Sequence, residues 1–220
     1  MQYSKTEFAA RKLTQGSSLI EVLVALIIFS IGMLGIVGVQ LSHTRSAQIT
    51  NQFIQANLIV TNLANRLILN KQHIFTTQTP GLSHSYFFPE SYDFAQLGGC
   101  QGSHYQCFCL EPPINITNCR TTTNLNISLC NNTQVALFDI YEVSCMLALM
   151  SNDATISIHP TVLNTTSVLL EIDLVWPSLS SPQTTKSSGC QQTLQALNKA
   201  VTRYVCYSQQ LVLTEATYES

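Results

Sequence analysis

Charge is scarce in this chain, and cysteine is missing from its first 99 residues. Only 10% of the 220 residues are Asp, Glu, Lys or Arg, and the net charge is −2; an average soluble chain carries about 25%. Without an excess of Lys and Arg there is little to exchange for counterions on a phosphate backbone, so no nucleic-acid partner is expected. An acidic solvating tail is excluded on the same count. Pro and Gly are absent between Val39 and Thr79, which removes the usual helix breakers from that stretch. No P-loop, dinucleotide fingerprint, serine nucleophile elbow or HExxH motif occurs. The chain is therefore read as no enzyme, with no cofactor and no metal.

What is present is unevenly distributed. Residues 1–16 carry Lys5, Arg11 and Lys12 against one acid, Glu7. Val22 to Leu41 then holds no charge at all. At 1.5 Å per residue such a run is about 30 Å long, the thickness of a bilayer's hydrocarbon core. The basic residues precede it, so the leader stays cytoplasmic and the rest of the chain lies outside. A cleaved secretory signal would have a shorter apolar core and a small-x-small site after it; here Ser42-His43-Thr44-Arg45 follows. A plain signal anchor fits the length but gives no reason for Glu21 at the front edge. A carboxylate there costs free energy unless it is paired, so it is a functional candidate.

The stretch Gly16-Ser17-Ser18-Leu19-Ile20-Glu21-Val22-Leu23-Val24-Ala25-Leu26 resembles the class III signal of type IV pilins. In that family a prepilin peptidase cuts after the Gly on the cytoplasmic side, and the new N-terminus is methylated. A Glu five residues into the mature chain pairs with the N-terminal amine of a neighbouring subunit. The resemblance implies a cut at Gly16/Ser17 and an assembly role for Glu21. Ser17 departs from the bulky apolar residue usual at the first mature position. The continuation Ser30-Ile31-Gly32-Met33-Leu34-Gly35-Ile36-Val37-Gly38-Val39-Gln40 is similar to the PilV-type minor pilins. The residues support this physically: an unpaired ammonium and an unpaired carboxylate each carry a desolvation penalty, and pairing relieves both. Gly32, Gly35 and Gly38 make a strip of small residues of the kind that lets helices approach closely in lipid, although Gly is common in membrane helices in any case.

The apolar pattern continues past the membrane. Ile49, Phe53, Ala56, Val60, Leu63 and Leu67 recur at alternating spacings of four and three, a one-sided helical stripe. The expectation is one helix from about Ser18 to Asn70, on the order of 80 Å long. About two and a half heptads is short for a coiled coil, so the stripe is expected to be covered by the C-terminal domain. Lys71 to Gly102 reads as loop with aromatic plugs, punctuated by Pro80-Gly81, Pro89 and Gly98-Gly99. Thr133–Met150 reads as a second, mostly buried helix capped by Asn132 or Thr133, with Asp139 and Glu142 on its polar face. Thr155–His159 and Ser167–Trp176 read as a hairpin turning at Asn164-Thr165-Thr166, with Leu170, Ile172, Leu174 and Trp176 on one face and Glu171 and Asp173 on the other. Gln191–Val201 reads as a short helix and Thr202–Leu213 as a third strand.

All eight cysteines follow the membrane run: Cys100, Cys107, Cys109, Cys119, Cys130, Cys145, Cys190 and Cys206. That placement points to an oxidising compartment and disulfides; eight cysteines allow 105 pairings. Cys107 and Cys109 are too close to pair with each other. His104 lies among Cys100, Cys107 and Cys109, but the spacing is that of no known zinc finger. Local bridges are favoured there, with Cys119 and Cys130 as candidates. Cys190 and Cys206 enclose a loop whose closure contributes about 3 kcal/mol, and they are the first pair expected.

The fold class expected is α+β: a pilin-like long N-terminal helix on a small antiparallel sheet with disulfide-stapled loops. The divisions are a leader (1–16), a transmembrane or filament-core half-helix (17–41), an amphipathic half-helix (42–70) and an extracytoplasmic head (71–220). The resemblance implies a minor pilin of a type IV pilus, anchored in the inner membrane and then incorporated into a filament or its tip. Its partners would be the prepilin peptidase and other major and minor pilins. Rival readings are a minor pseudopilin of a type II secretion system and a pilus-tip adhesin or other binding subunit.

Overall fold

The computed structural model describes residues 18–76, 84–113, 115–120, 130–178 and 188–215. The expected loop punctuation at Pro80-Gly81, and most of the loop beyond Ser178, lie outside these residues. Two compact units divide within the first helix, residues 1–49 and 50–220.

Helix α1 spans Leu19–Leu69. The Ser18 carbonyl accepts from the amides of Glu21 (2.9 Å) and Val22 (3.3 Å) and so closes its first turn. In the first unit every described residue up to Leu41 is exposed. In the second unit Ala56, Val60, Leu63 and Leu67 are fully buried, as the stripe predicts. α1 ends at Asn70, whose buried side chain donates to the Asn132 carbonyl (3.2 Å). A short helix α2, Lys71–Thr76, follows.

The expected loop from Lys71 to Gly102 is more ordered than its composition suggested. Among its described residues beyond α2 are three 3-10 turns, at Ser85–Phe87, Pro89–Tyr92 and Phe94–Leu97. Tyr86, Phe87 and Tyr92 are buried in the core, so the aromatic plugs act as packing. Gly98 and Gly99 (φ 62° and 74°) follow in a conformation that a side chain would strain. Helix α3 is His104–Phe108.

Helix α4 is Asn132–Met150. Its cap is Asn131, one residue earlier than expected. The Gln134 amide donates to Asn131 Oδ1, and the Asn131 amide donates to Gln134 Oε1, both at 2.9 Å. This reciprocal pair forms because Gln134 stands three residues after the cap.

Strands β1 (Thr155–Asn164), β2 (Ser167–Pro177) and β3 (Tyr204–Thr214) form one antiparallel sheet in that order. The hairpin turns at Thr165-Thr166, where Asn164 Oδ1 accepts from the Thr166 amide and hydroxyl. One sheet face, with Ile156, Ile158, Val168, Leu170, Ile172, Leu174, Trp176, Val205 and Leu213, packs with α4 and the 50–69 segment of α1 in a single core. Phe53 meets Trp176 edge-on at 5.3 Å, and Gln52 accepts from the indole N–H at 3.3 Å. Helix α5, Ser188–Ala196, lies against β2 and β3.

Candidate functional site

The first unit presents one conspicuous chemical feature. Glu21 stands in the first turn of α1 amid exposed Leu19, Ile20, Val22 and Leu23. A helix that is apolar on all sides has no solvent-facing side, so in water this surface is unsatisfied. Ser30 does not disturb it, because its hydroxyl donates to the Leu26 carbonyl at 2.7 Å. At Gly32, Gly35 and Gly38 nothing lies within 4 Å of where a Cβ would stand. The stretch is long and apolar enough to cross a membrane; α4 meets the same test of length and composition, but half of it is buried in the head. Gly16 and Ser17 lie outside the described residues.

In the second unit the structure assembles a polar centre that the sequence reading missed. Asp139 and Glu142 do not form a solvent-facing edge. Arg66 Nη1 lies 2.5 Å from Asp139 Oδ1 and 2.7 Å from Glu142 Oε2, with all three side chains largely buried. The Glu142 contact is an ion pair rather than a well-angled hydrogen bond, and Arg120 Nε reaches the other Glu142 oxygen at 2.8 Å. Arg66 Nε also donates to Asn62 Oδ1 at 2.6 Å. Tyr86 donates to Asp139 Oδ2 at 2.7 Å and accepts from Asn70 at 3.3 Å. Burial, together with the adjacent Asp139 carboxylate, pushes the Tyr86 phenol well above its ordinary range. Only Arg120, at the edge, is exposed; the buried contacts tie α1, α4 and the 85–87 turn to one another. The centre fixes the helix to the head. The available signal was Arg66, the single Lys or Arg in the 50–69 segment of α1, which is otherwise rich in Asn and Gln.

A second cluster sits under α5. Asp173 is completely buried, not solvent-facing as the strand alternation implied. Thr193 donates to Asp173 Oδ2 at 2.7 Å, so the same hydroxyl oxygen accepts from His159 Nε2 at 2.8 Å. Ser157 is 3.2 Å from the same ring nitrogen. The residue types suggest a catalytic triad, but the geometry does not form one: the ring nitrogen acts as donor rather than base, and Thr193 is fully buried. α5 closes over the sheet at Gly189, where a Cβ would fall 2.2 Å from Glu171 Oε1. At the sheet's end Asp153 takes Lys199 at 2.6 Å and also accepts from Tyr204. Burial opposes the Asp153 charge, and those two partners outweigh it, holding its carboxyl below the usual range.

All eight cysteines are paired. Cys190 bonds to Cys206 and fastens α5 to β3. Cys119 bonds to Cys130, and Cys100 to Cys107. Cys109 reaches beyond its neighbourhood to Cys145 on α4, a pairing that spacing could not indicate. With these bonds formed, the Cys100–Cys109 cluster around His104 offers no thiolate to a metal.

No curated protein and no solved structure matches this chain. Residues 11–37 match the prokaryotic N-terminal methylation motif, which spans Arg11, Lys12, Gly16, Glu21 and most of the apolar run and points to the broad type IV pilin and pseudopilin family.

Proposed function

We propose that this chain is a minor pilin of PilV type that takes part in type IV pilus assembly. In this reading residues 1–16 are a leader removed by a prepilin peptidase between Gly16 and Ser17. Residues 17–41 anchor the subunit in the inner membrane and later join a filament core. Residues 42–70 carry the extracytoplasmic head, 71–220. The observation that carries the reading is the methylation motif, with Glu21 in the first turn of a helix whose apolar surface is exposed. Leader removal would create a positive amine near Glu21. In a low-dielectric setting that amine and the carboxylate of an adjacent subunit each lose a desolvation penalty by pairing. The pairing would fix axial register, and Gly32, Gly35 and Gly38 would allow close approach of helices. The activity is structural, and no catalytic residue, cofactor or nucleic acid enters it.

The first test is N-terminal sequencing with intact mass of the mature protein. The expected N-terminus is Ser17; a mature chain that retains residues 1–16 sinks the proposal. The motif is shared with pseudopilins, so the second test deletes the gene and measures twitching and exoprotein secretion side by side. Loss of twitching alone supports a pilus, whereas loss of secretion alone assigns the chain to a type II secretion system.

A further inference from the structure

A groove of about 250 Å³ opens on the head beside α4. It is smaller than a typical small-molecule site, at roughly 300–1,000 Å³, and suits one side chain. Its walls are Phe94, Leu97, Ile116 and Leu137, and Leu97 (58% exposed) and Leu137 (42% exposed) remain open to solvent. Phe94 is itself packed against Phe108 at 5.2 Å and against Tyr141, which also lines the groove, at 6.4 Å. Glu90 and Asp93 stand on the lining, and no Lys, Arg or His among the described residues joins them. Glu90 is exposed and makes no ion pair among the described residues.

An apolar trough with carboxylates on its lining selects an elongated group with an aliphatic stem and a cationic end. Arginine meets that description better than lysine. Its planar guanidinium stacks on a ring and takes a carboxylate with two parallel donors. The walls are also preorganised. The Cys109–Cys145 bridge ties the chain after α3 to α4. Rigid walls reduce the ordering cost of binding.

We propose that this groove is the docking site for an arginine side chain presented by a protein partner, with its stem over Phe94, Leu97 and Leu137 and its guanidinium at Glu90. The inference stands on the head alone and does not require the pilus reading.

The test is a saturation-transfer NMR titration of the full chain in detergent micelles with Nα-acetyl-arginine amide. The neutral isostere, Nα-acetyl-citrulline amide, is the reference. Arginine is expected to bind at least tenfold more tightly than citrulline. Glu90→Gln should weaken arginine about fivefold and leave citrulline unchanged, while Leu137→Ser should weaken both. Both substitutions are at the surface, and an unchanged Tm verifies the fold. Equal affinity for the two probes, or no response to Glu90→Gln, overturns the proposal. So does binding of neither probe, or a groove that takes only the detergent's alkyl chain.

Discussion

Leu19–Leu41 and the stripe Ala56, Val60, Leu63 and Leu67 belong to one helix and are both apolar, yet the first is exposed throughout and the second is fully buried. The difference lies in the partner rather than in the residue type. The second segment is one-sided, and the chain itself supplies a sheet and α4 to cover it. The first segment is apolar all round, and nothing within one chain could satisfy every side of it. A surface of that kind requires lipid or other helices. The two segments thus separate what this protein does alone, which is to fold a head, from what it does in company.

Substitutions in the two segments should therefore fail differently. The largest expected effect is Glu21→Gln. On the proposed reading it loses incorporation into the filament by tenfold or more, while head stability is unchanged. Immunoblots of sheared filaments beside a denaturation curve would read both; normal incorporation would remove the assembly role. Next is Arg66→Ala, which leaves Asp139 buried without its cation and Glu142 with only the exposed Arg120. A loss of about 3–5 kcal/mol is expected. Trp176, the only Trp, reports the unfolding by fluorescence because it is buried against Phe53.

Leu63→Ala should cost about 2–5 kcal/mol through the cavity it leaves. Leu34→Ala, on an exposed position of the same helix, should leave the head's unfolding midpoint where it was. Equal effects of the two would dissolve the comparison. The double change Cys190→Ser, Cys206→Ser is expected to cost about 3 kcal/mol and to expose Asp173 and Thr193, as read by faster amide exchange in α5.

The smallest expected effect is a pH dependence. Burial, and next the neighbouring His73, hold the His84 imidazole down at about 4, against 6.5 when unfolded. Tyr86 stacks on it at 5.0 Å, and His73 meets it edge-on at 5.1 Å. Between these two values the unfolded state binds more protons. The contribution is therefore present above pH 6.5 and is lost as pH falls toward about 4. The slope of stability against pH across that window should flatten in His84→Gln. An unchanged slope would assign the acid sensitivity to other groups.

The two units also differ in how readily the sequence discloses them. α1 was legible almost to the residue, because a 20-residue run without charge and a stripe of period 3.6 are local facts. The hairpin and β3 followed from alternation in the same way. Asp139, Glu142 and Asp173 were misread for one reason: alternation and helical spacing assign a polar residue to water, whereas each of these meets a partner far along the chain. The cap at Asn131 was missed by one residue because neighbouring Asn and Thr side chains can all accept at a helix start.

By itself, then, the sequence determined the N-terminal segment. Gly16, Glu21 and the apolar run are adjacent in the chain, and their chemistry depends on adjacency. It also determined that the head would be an oxidised α+β domain. Only the tertiary structure decided that Arg66 joins Asp139 and Glu142, that Cys109 bonds Cys145, and that α5 seals Asp173 beneath Thr193 and His159. Those arrangements bring together groups from distant parts of the chain. Which of them meet depends on how the whole core packs, and no local pattern carries that information.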